Sequence, residues 1–262
     1  MDEEIKLKLD AAEAAPETPE TLGAEPDKET EARERILQAA LKEFAAEGLG
    51  GARTDRIVTA AGVNKSALFY YFGSKEKLYE AAVELSAAQI RDTTLAMFKD
   101  SKASAGEKLL RAAVGHFDRI LAQQDFQSLM QQEMTRLHKG ESTAAETIVK
   151  KVFVPVVRVY QALVEEGVST GELIPVDWLQ MHLSSLGANV FYFLSAPVWQ
   201  MILERDPLER EQLQARRWGL LEFLGWSIFT DRKHGLELAR RIFAETPMPE
   251  PPKGKLCFGR NV

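Results

Sequence analysis

The side chains whose types and spacing could do chemistry in this chain crowd into Thr54 to Leu78, TDRIVTAAGVNKSALFYYFGSKEKL. Within it, Lys65, Ser66, Ala67 and Tyr70 belong to one apolar-backed stretch, KSALFYYF. At 3.6 residues per turn, Leu68 and Phe72 share a face that packs inward, and Ser66 and Tyr70 fall on the opposite side with Ala67 beside them. Lys65 sits near the start of the same helix. A cation, a hydroxyl, a methyl and a phenol on a bare helix face suit base edges and phosphates in a DNA groove. The chemistry is recognition, with no bond made or broken.

The elements that position these residues follow from the flanking sequence. Thr54 is expected to cap a short helix carrying Ile57, Val58, Ala60 and Ala61. Gly62 ends that helix, since glycine takes the left-handed conformation helix ends often need. Val63 plugs the space between helices, Asn64 caps the second helix, and Ser74 caps a third that opens with Lys75 and Glu76. Two short helices joined through glycine make a helix-turn-helix, the device that lays one helix in the major groove.

The same residues carry a family resemblance. Thr54, Ile57, Ala61-Gly62-Val63, Leu68-Phe69, Tyr71-Phe72, Ser74-Lys75-Glu76 and Leu78 match the pattern of the tetracycline-repressor (TetR/AcrR) family of bacterial transcriptional regulators. Arg35, Ile36, Leu37, Ala39, Ala40, Leu41, Phe44 and Gly48 resemble its opening helix, so the resemblance covers about residues 32–80. It implies an all-α chain with an N-terminal three-helix DNA-binding domain and a C-terminal helical domain for effector binding and dimerisation. It implies phosphate contacts from Thr54, Tyr71 and Lys75, and base-edge contacts from Lys65, Ser66, Ala67 and Tyr70. The chain departs from the pattern at Ser66, where glycine is common, and at Phe69, where tyrosine is commoner. Both changes bear on base preference.

Charge agrees once it is located. The formal net charge of −6 resides in residues 1–28, where nine acidic residues face three lysines (9 − 3 = 6). Residues 53–77 carry five basic and two acidic residues, a local +3 of the sign that phosphate requires. The acidic stretch 1–28, rich in Ala, Glu, Pro and Thr, is expected to be a disordered tail, with the DNA-binding domain over 29–80, the helical domain over 81–245 and a loose Pro-rich tail over 246–262. The acidic opening MDEEIKLKLD lacks the long apolar run of a signal peptide, and no apolar stretch nears twenty residues, so a cytoplasmic protein without a membrane span is expected.

Beyond residue 80 the pattern is helical. Expected helices run to about Lys99, from a capping box at Ser104 and Glu107, from about Asp125 to Leu137, and from about Ser142 to Glu166 with Pro155 forcing a kink or wide turn. Gly167 to Pro175 is expected as a loop, followed by helices near 177–203, 207–230 and 232–244. By the resemblance, the apolar helices 177–203 and 207–230 form the homodimer interface. A two-fold dimer suits a pseudo-palindromic operator on double-stranded DNA. The pocket for a small-molecule effector would draw on His116, Phe117, Phe126, Met130, Tyr160, Trp178, His182 and Phe191, with Trp199, Gln132 and Arg136 in reserve. Any of these aromatics can equally be core.

Catalysis is not expected. The lone Cys257 cannot form an internal disulfide, no Cys/His spacing suits zinc, and no phosphate loop or nucleophile elbow occurs. No cofactor is called for. The reading is therefore a ligand-responsive repressor. The alternative is a helical ligand-binding or adaptor protein with a non-functional DNA-binding domain, against which the retained Lys65, Tyr70, Tyr71 and Lys75 argue.

Overall fold

The computed structural model describes residues 28–99, 102–141 and 144–250. The acidic tail over 1–27, residues 251–262 with Cys257, and Ser142 at the start of one expected helix lie outside them. Twelve α-helices follow in order among the described residues: α1 Lys28–Gly51, α2 Thr54–Ala61, α3 Lys65–Phe72, α4 Lys75–Phe98, α5 Ala105–Ala122, α6 Gln124–His138, α7 Ala145–Ile148, α8 Val154–Ser169, α9 Trp178–Leu194, α10 Ala196–Leu203, α11 Arg210–Ser227 and α12 Arg232–Glu245. A π-helical turn, Val149–Phe153, joins α7 to α8. Extended pairing among the described residues is limited to one isolated bridge, Leu173 with Phe229.

The chain divides into two compact units, and the cut is not a single boundary near residue 80. One unit joins the segment up to Arg91 with Asp125–Pro155, and the other joins Asp92–Gln124 with the chain from Val156 onward. In the first unit, Ile36, Phe44, Ile57, Leu68, Phe72, Leu78 and Tyr79 share one core with Phe126, Leu129 and Met130 of α6. The Tyr79 ring meets Phe44 edge-on with centroids 5.0 Å apart. Its hydroxyl donates to the buried Glu133 carboxylate at 2.7 Å, and Arg136 lies 3.1 Å from the same carboxylate. Burial and the Glu133 charge drive the Tyr79 phenol far above its usual range. Gln132 Nε2 donates to Ala45 O at 3.2 Å. Helix α6 is thus bolted to α1 and α4 by polar bonds as well as apolar contact.

The second unit is organised around α5. Arg217 of α11 makes a paired contact with Asp118 of α5, both bonds at 2.8 Å, and donates to Thr246 O. Burial holds the Asp118 carboxyl above the usual carboxylate range, and the guanidinium offsets part of that rise. Glu107 is shared by Arg111 and Arg241, which ties α5 to α12. Ser104 accepts from the Glu107 amide as expected, but the Glu107 carboxylate turns to arginines, so the box is completed on one side only.

Several expected boundaries move, each for a local reason. Thr54 is the first helical residue and Arg53 holds the cap position; its carbonyl accepts from the Arg56 and Ile57 amides, its guanidinium has no acceptor to make a side-chain cap bond, and its own amide donates to Glu43 Oε1 at 3.0 Å. Gly167 lies inside α8, where the missing Cβ leaves room for Leu173; the left-handed turn is at Gly171, φ 74°. The expected helix 177–203 is broken at Ser195 into α9 and α10, bent by 64°, with Pro197 at the start of α10. The hydroxyl of Ser195 bonds Phe191 O at 2.6 Å and competes with the helix ladder. The helix expected from 207 begins at Arg210, after the Asp206 side chain accepts the Leu208 amide. Pro155 is absorbed by the π turn just before it.

The tightest backbone approach is between α11 and α12, where a Cβ on Gly235 would stand 2.3 Å from Gly225 O and 2.7 Å from the Phe229 ring. Replacing Gly235 by alanine should cost about 1–3 kcal/mol of stability through overpacking, measured by urea unfolding. An unchanged midpoint would show that the two helices can separate freely.

Candidate nucleic-acid interface and ligand site

Helix α3 is eight residues long and depends on its caps and its inner face. Asn64 Oδ1 accepts the Ala67 amide at 2.8 Å, and Gly62 takes φ 66°. Leu68 and Phe72 are buried, and the guanidinium of Arg33 covers the Phe72 ring at 5.3 Å. On the opposite side Lys65 and Ser66 are exposed, Ala67 is half-buried, and Tyr70 is 76 % exposed. Tyr70 leans edge-on against half-buried Tyr71, centroids 5.2 Å apart, which stiffens a side chain that would otherwise move freely. Lys65 Nζ pairs with Asp55 at 2.9 Å; both are exposed, so the pair is weak and easily exchanged for phosphate.

The three residues for which phosphate contacts are implied are placed differently. Thr54 is half-buried at the N-terminus of α2, where free amides favour an anion. Lys75 is half-buried and its Nζ donates to Ala52 O at 3.0 Å and Gly50 O at 3.4 Å. It ties α4 to the turn after α1 in addition to any outward role. Arg53 and Arg56 add charge beside them, Arg56 being paired with Glu47 at 3.0 Å.

The candidate effector residues fall into separate places. Phe126 and Met130 belong to the core of the unit that holds the DNA-binding helices. Phe117 is buried against Phe193, centroids 5.0 Å apart. Phe191 is exposed and lines an open cleft of about 440 Å³ with Tyr192, Trp199, Leu203, Pro207 and Arg216. Trp178 is half-buried in the first turn of α9. His116, Tyr160 and His182 do come together: the Tyr160 and His182 rings lie 4.5 Å apart, and the His182 charge is among the causes that lower the His116 imidazole, after burial and Arg119.

Two members of this cluster are missing from the sequence expectations. Asn189 is fully buried, and its Nδ2 donates to Ala113 O at 3.1 Å and to His116 Nδ1 at 3.2 Å. With Nδ1 accepting, the His116 proton sits on Nε2. Arg119 lies one turn beyond His116 on α5, with its guanidinium pushed down to about 10 by burial. Both were findable: Asn189 is a lone amide in an apolar run seven residues after His182, and Arg119 is three residues after His116. Among the described residues no group of three or more His, Cys, Asp or Glu is placed to hold a metal ion.

Comparison with known proteins agrees with this geometry. Residues 36–82 match the family model described as "Bacterial regulatory proteins, tetR family", and residues 106–223 match "Tetracyclin repressor-like, C-terminal domain". The chain is 29% identical over 165 residues to the HTH-type transcriptional repressor NicS of Pseudomonas putida, covering 63% of this chain and 76% of that protein. Other curated relatives, all transcriptional regulators or repressors, are matched over between 26% and 36% of their own length. A TetR transcriptional regulator from Chloroflexus aurantiacus shares the fold at a TM-score of 0.61 and 20% identity, over 77% of this chain and 98% of that one. The regulator FadR from Bacillus subtilis, solved with stearoyl-CoA, shares it at 0.56 and 19%, over 73% and 96%.

His116 generates a pH prediction. Burial first, then the charges of Arg119 and His182, hold its imidazole down to about 3, against an unfolded value near 6.5. Between those values the unfolded chain binds a proton that the folded one refuses, so stability falls as pH drops from about 6.5 toward 3. His116→Asn should flatten the stability–pH curve there by up to ~1.4 kcal/mol per pH unit. Parallel curves for the two proteins in chemical denaturation would place His116 in water.

Proposed function

Because the chain belongs to the TetR family of bacterial regulatory proteins, we propose that it is a homodimeric transcriptional repressor released from a palindromic operator by a small molecule. The observation that carries the DNA-binding part is the two-faced α3, with Leu68 and Phe72 buried behind it while Lys65, Ser66 and Tyr70 stand bare in front. In this reading Lys65, Ser66, Ala67 and Tyr70 meet base edges, and Thr54, Tyr71 and Lys75 meet phosphates. A DNA partner places the protein in the cytoplasm, and regulation requires no catalytic step.

A second copy of the chain is the partner proposed for the apolar faces of α9 and α11. Leu179, Leu183, Leu186, Val190 and Leu194 form an exposed apolar stripe on α9, and Phe223 and Trp226 are exposed on α11. A patch of this kind on a monomer would be costly in water. Spacings of four, three, four and four residues suit helix-on-helix packing. No single helix among the described residues is long and apolar enough to cross a membrane; α9 and α10 pass that test only jointly.

For the effector, the reading places a small molecule beside His116, Tyr160, His182 and Asn189. The chain passes from one unit to the other at Arg91–Asp92, Gln124–Asp125 and Pro155–Val156. The π turn before Pro155 is tied to α4: Lys151 pairs with Glu84, and Arg91 donates to Lys151 O at 3.3 Å. A ligand that prefers one setting of α8 would therefore bias α4, provided its affinities for the two states differ.

Two measurements test this reading. Gel shifts on DNA flanking the protein's own gene should give a discrete, competitor-resistant complex. Tyr70→Ala should reduce operator affinity by about 1–3 kcal/mol while changing nonspecific binding far less. Equal losses on both DNAs would remove Tyr70 from the base-reading set. Sedimentation tests the interface: Leu183→Glu should convert dimer to monomer at micromolar concentration and abolish binding to the full palindrome. A variant that remains dimeric would move the interface elsewhere.

A further inference from the structure

Two exposed cations near the starts of α2 and α3 are matched by carboxylates of the same unit. Arg56 lies 3.0 Å from Glu47 and 3.8 Å from Glu43. Lys65 Nζ donates to Asp55 Oδ1 at 2.9 Å. The two pairs differ in where the acid stands. Glu43 and Glu47 belong to α1, whereas Asp55 lies in the first turn of α2 and reaches the first residue of α3. That is the end of a recognition helix whose residues meet base edges. The Asp55 side chain keeps 77 % of its surface, against 52 % for Lys65, so another molecule can reach the carboxylate as well as the ammonium.

A carboxylate in that place has the wrong sign for DNA. An acid in a first turn favours the helix dipole, but a bond to a lysine ten residues away is not needed for that. The pair with Lys65 supplies a different reason. Lysine is a point charge on a flexible four-carbon stem and carries three N–H donors. One of them holds Asp55, and two remain. In water the pair is weak. Against DNA the comparison changes. If Lys65 leaves for a phosphate, the Asp55 carboxylate stands unpaired beside a polyanion. If Lys65 keeps Asp55 and turns its other donors to a base edge, no charge is stranded. Guanine presents two such acceptors, O6 and N7, in the major groove. The first arrangement is penalised on every sequence, and the second is available only where the acceptors are present.

We propose that Asp55 is a specificity-determining residue of the DNA contact, a positioning carboxylate that holds Lys65 Nζ for base acceptors and withholds it from phosphates. The proposal rests on reading α3 as the DNA-recognition helix.

The test measures the full-length protein on two duplexes across a range of salt: the site it selects from a randomised pool, and a shuffled version of that site. Asp55→Asn keeps the shape and removes the charge. It should tighten binding to the shuffled duplex by about three-fold or more and steepen the salt slope there by about one unit, because Lys65 becomes free for a phosphate. It should reduce the preference for the selected site by about five-fold or more. Lys65→Gln should lower the same preference. The double variant should lose no more preference than Lys65→Gln alone, since Asp55 acts through Lys65. Asp55→Glu, which keeps the charge, should retain part of the preference. Weaker binding of Asp55→Asn to both duplexes would reduce Asp55 to a support for the start of α2, and equal tightening on both would reduce it to plain repulsion; either overturns the proposal. So would additive losses in the double variant. A parent protein with no preference between the duplexes would sink the reading of α3 itself.

Discussion

The structure depends on holding an eight-residue helix in place while its outer face stays bare. An isolated helix of that length is marginal in water. Helix α3 gains little from its own hydrogen bonds and must borrow rigidity from what lies behind it. Leu68 and Phe72 reach a core built by α1, α2 and the start of α4, and Asn64 closes the first turn. On the front, the exposed pair of Lys65 with Asp55 braces the helix only weakly. The stiffness therefore comes from the back, where Tyr79 and Glu133 extend the brace to α6.

That extension explains why α6 clusters with the DNA-binding helices although it lies far along the chain. Breaking a buried ion pair by removing one partner costs about 3–5 kcal/mol, so losing the buried Glu133 carboxylate beside Arg136 and Tyr79 would loosen this brace. The second unit uses the same device at Asp118 and Arg217, which fix α5 to α11. Within the first unit the chain also contains the π turn Val149–Phe153, a geometry frequent at functional sites.

Much of this architecture is legible in the sequence, for physical reasons that differ by element. The recognition helix shows itself because a cap, a left-handed glycine and paired apolar residues four apart must occur in a fixed order. The two-faced α9 is legible as an apolar helix, but its break at Ser195 is not, because a serine hydroxyl and a nearby proline only become a bend when packing selects it. Thr54 is not the cap because the Arg56 and Ile57 amides already donate to the Arg53 carbonyl, which starts the helix one residue earlier. The candidate pocket was the least legible part. Phe126 and Met130 have the same composition signal as Tyr160, and only tertiary packing puts the first two in the core behind the recognition helix and Tyr160 against His182.

The separation also constrains how a switch can work. Moving a two-state equilibrium from 1:99 to 99:1 requires a ligand to favour one state by about 5.5 kcal/mol. Few contacts can supply that much unless one of them is a charge that is unpaired in the absence of ligand and paired in its presence.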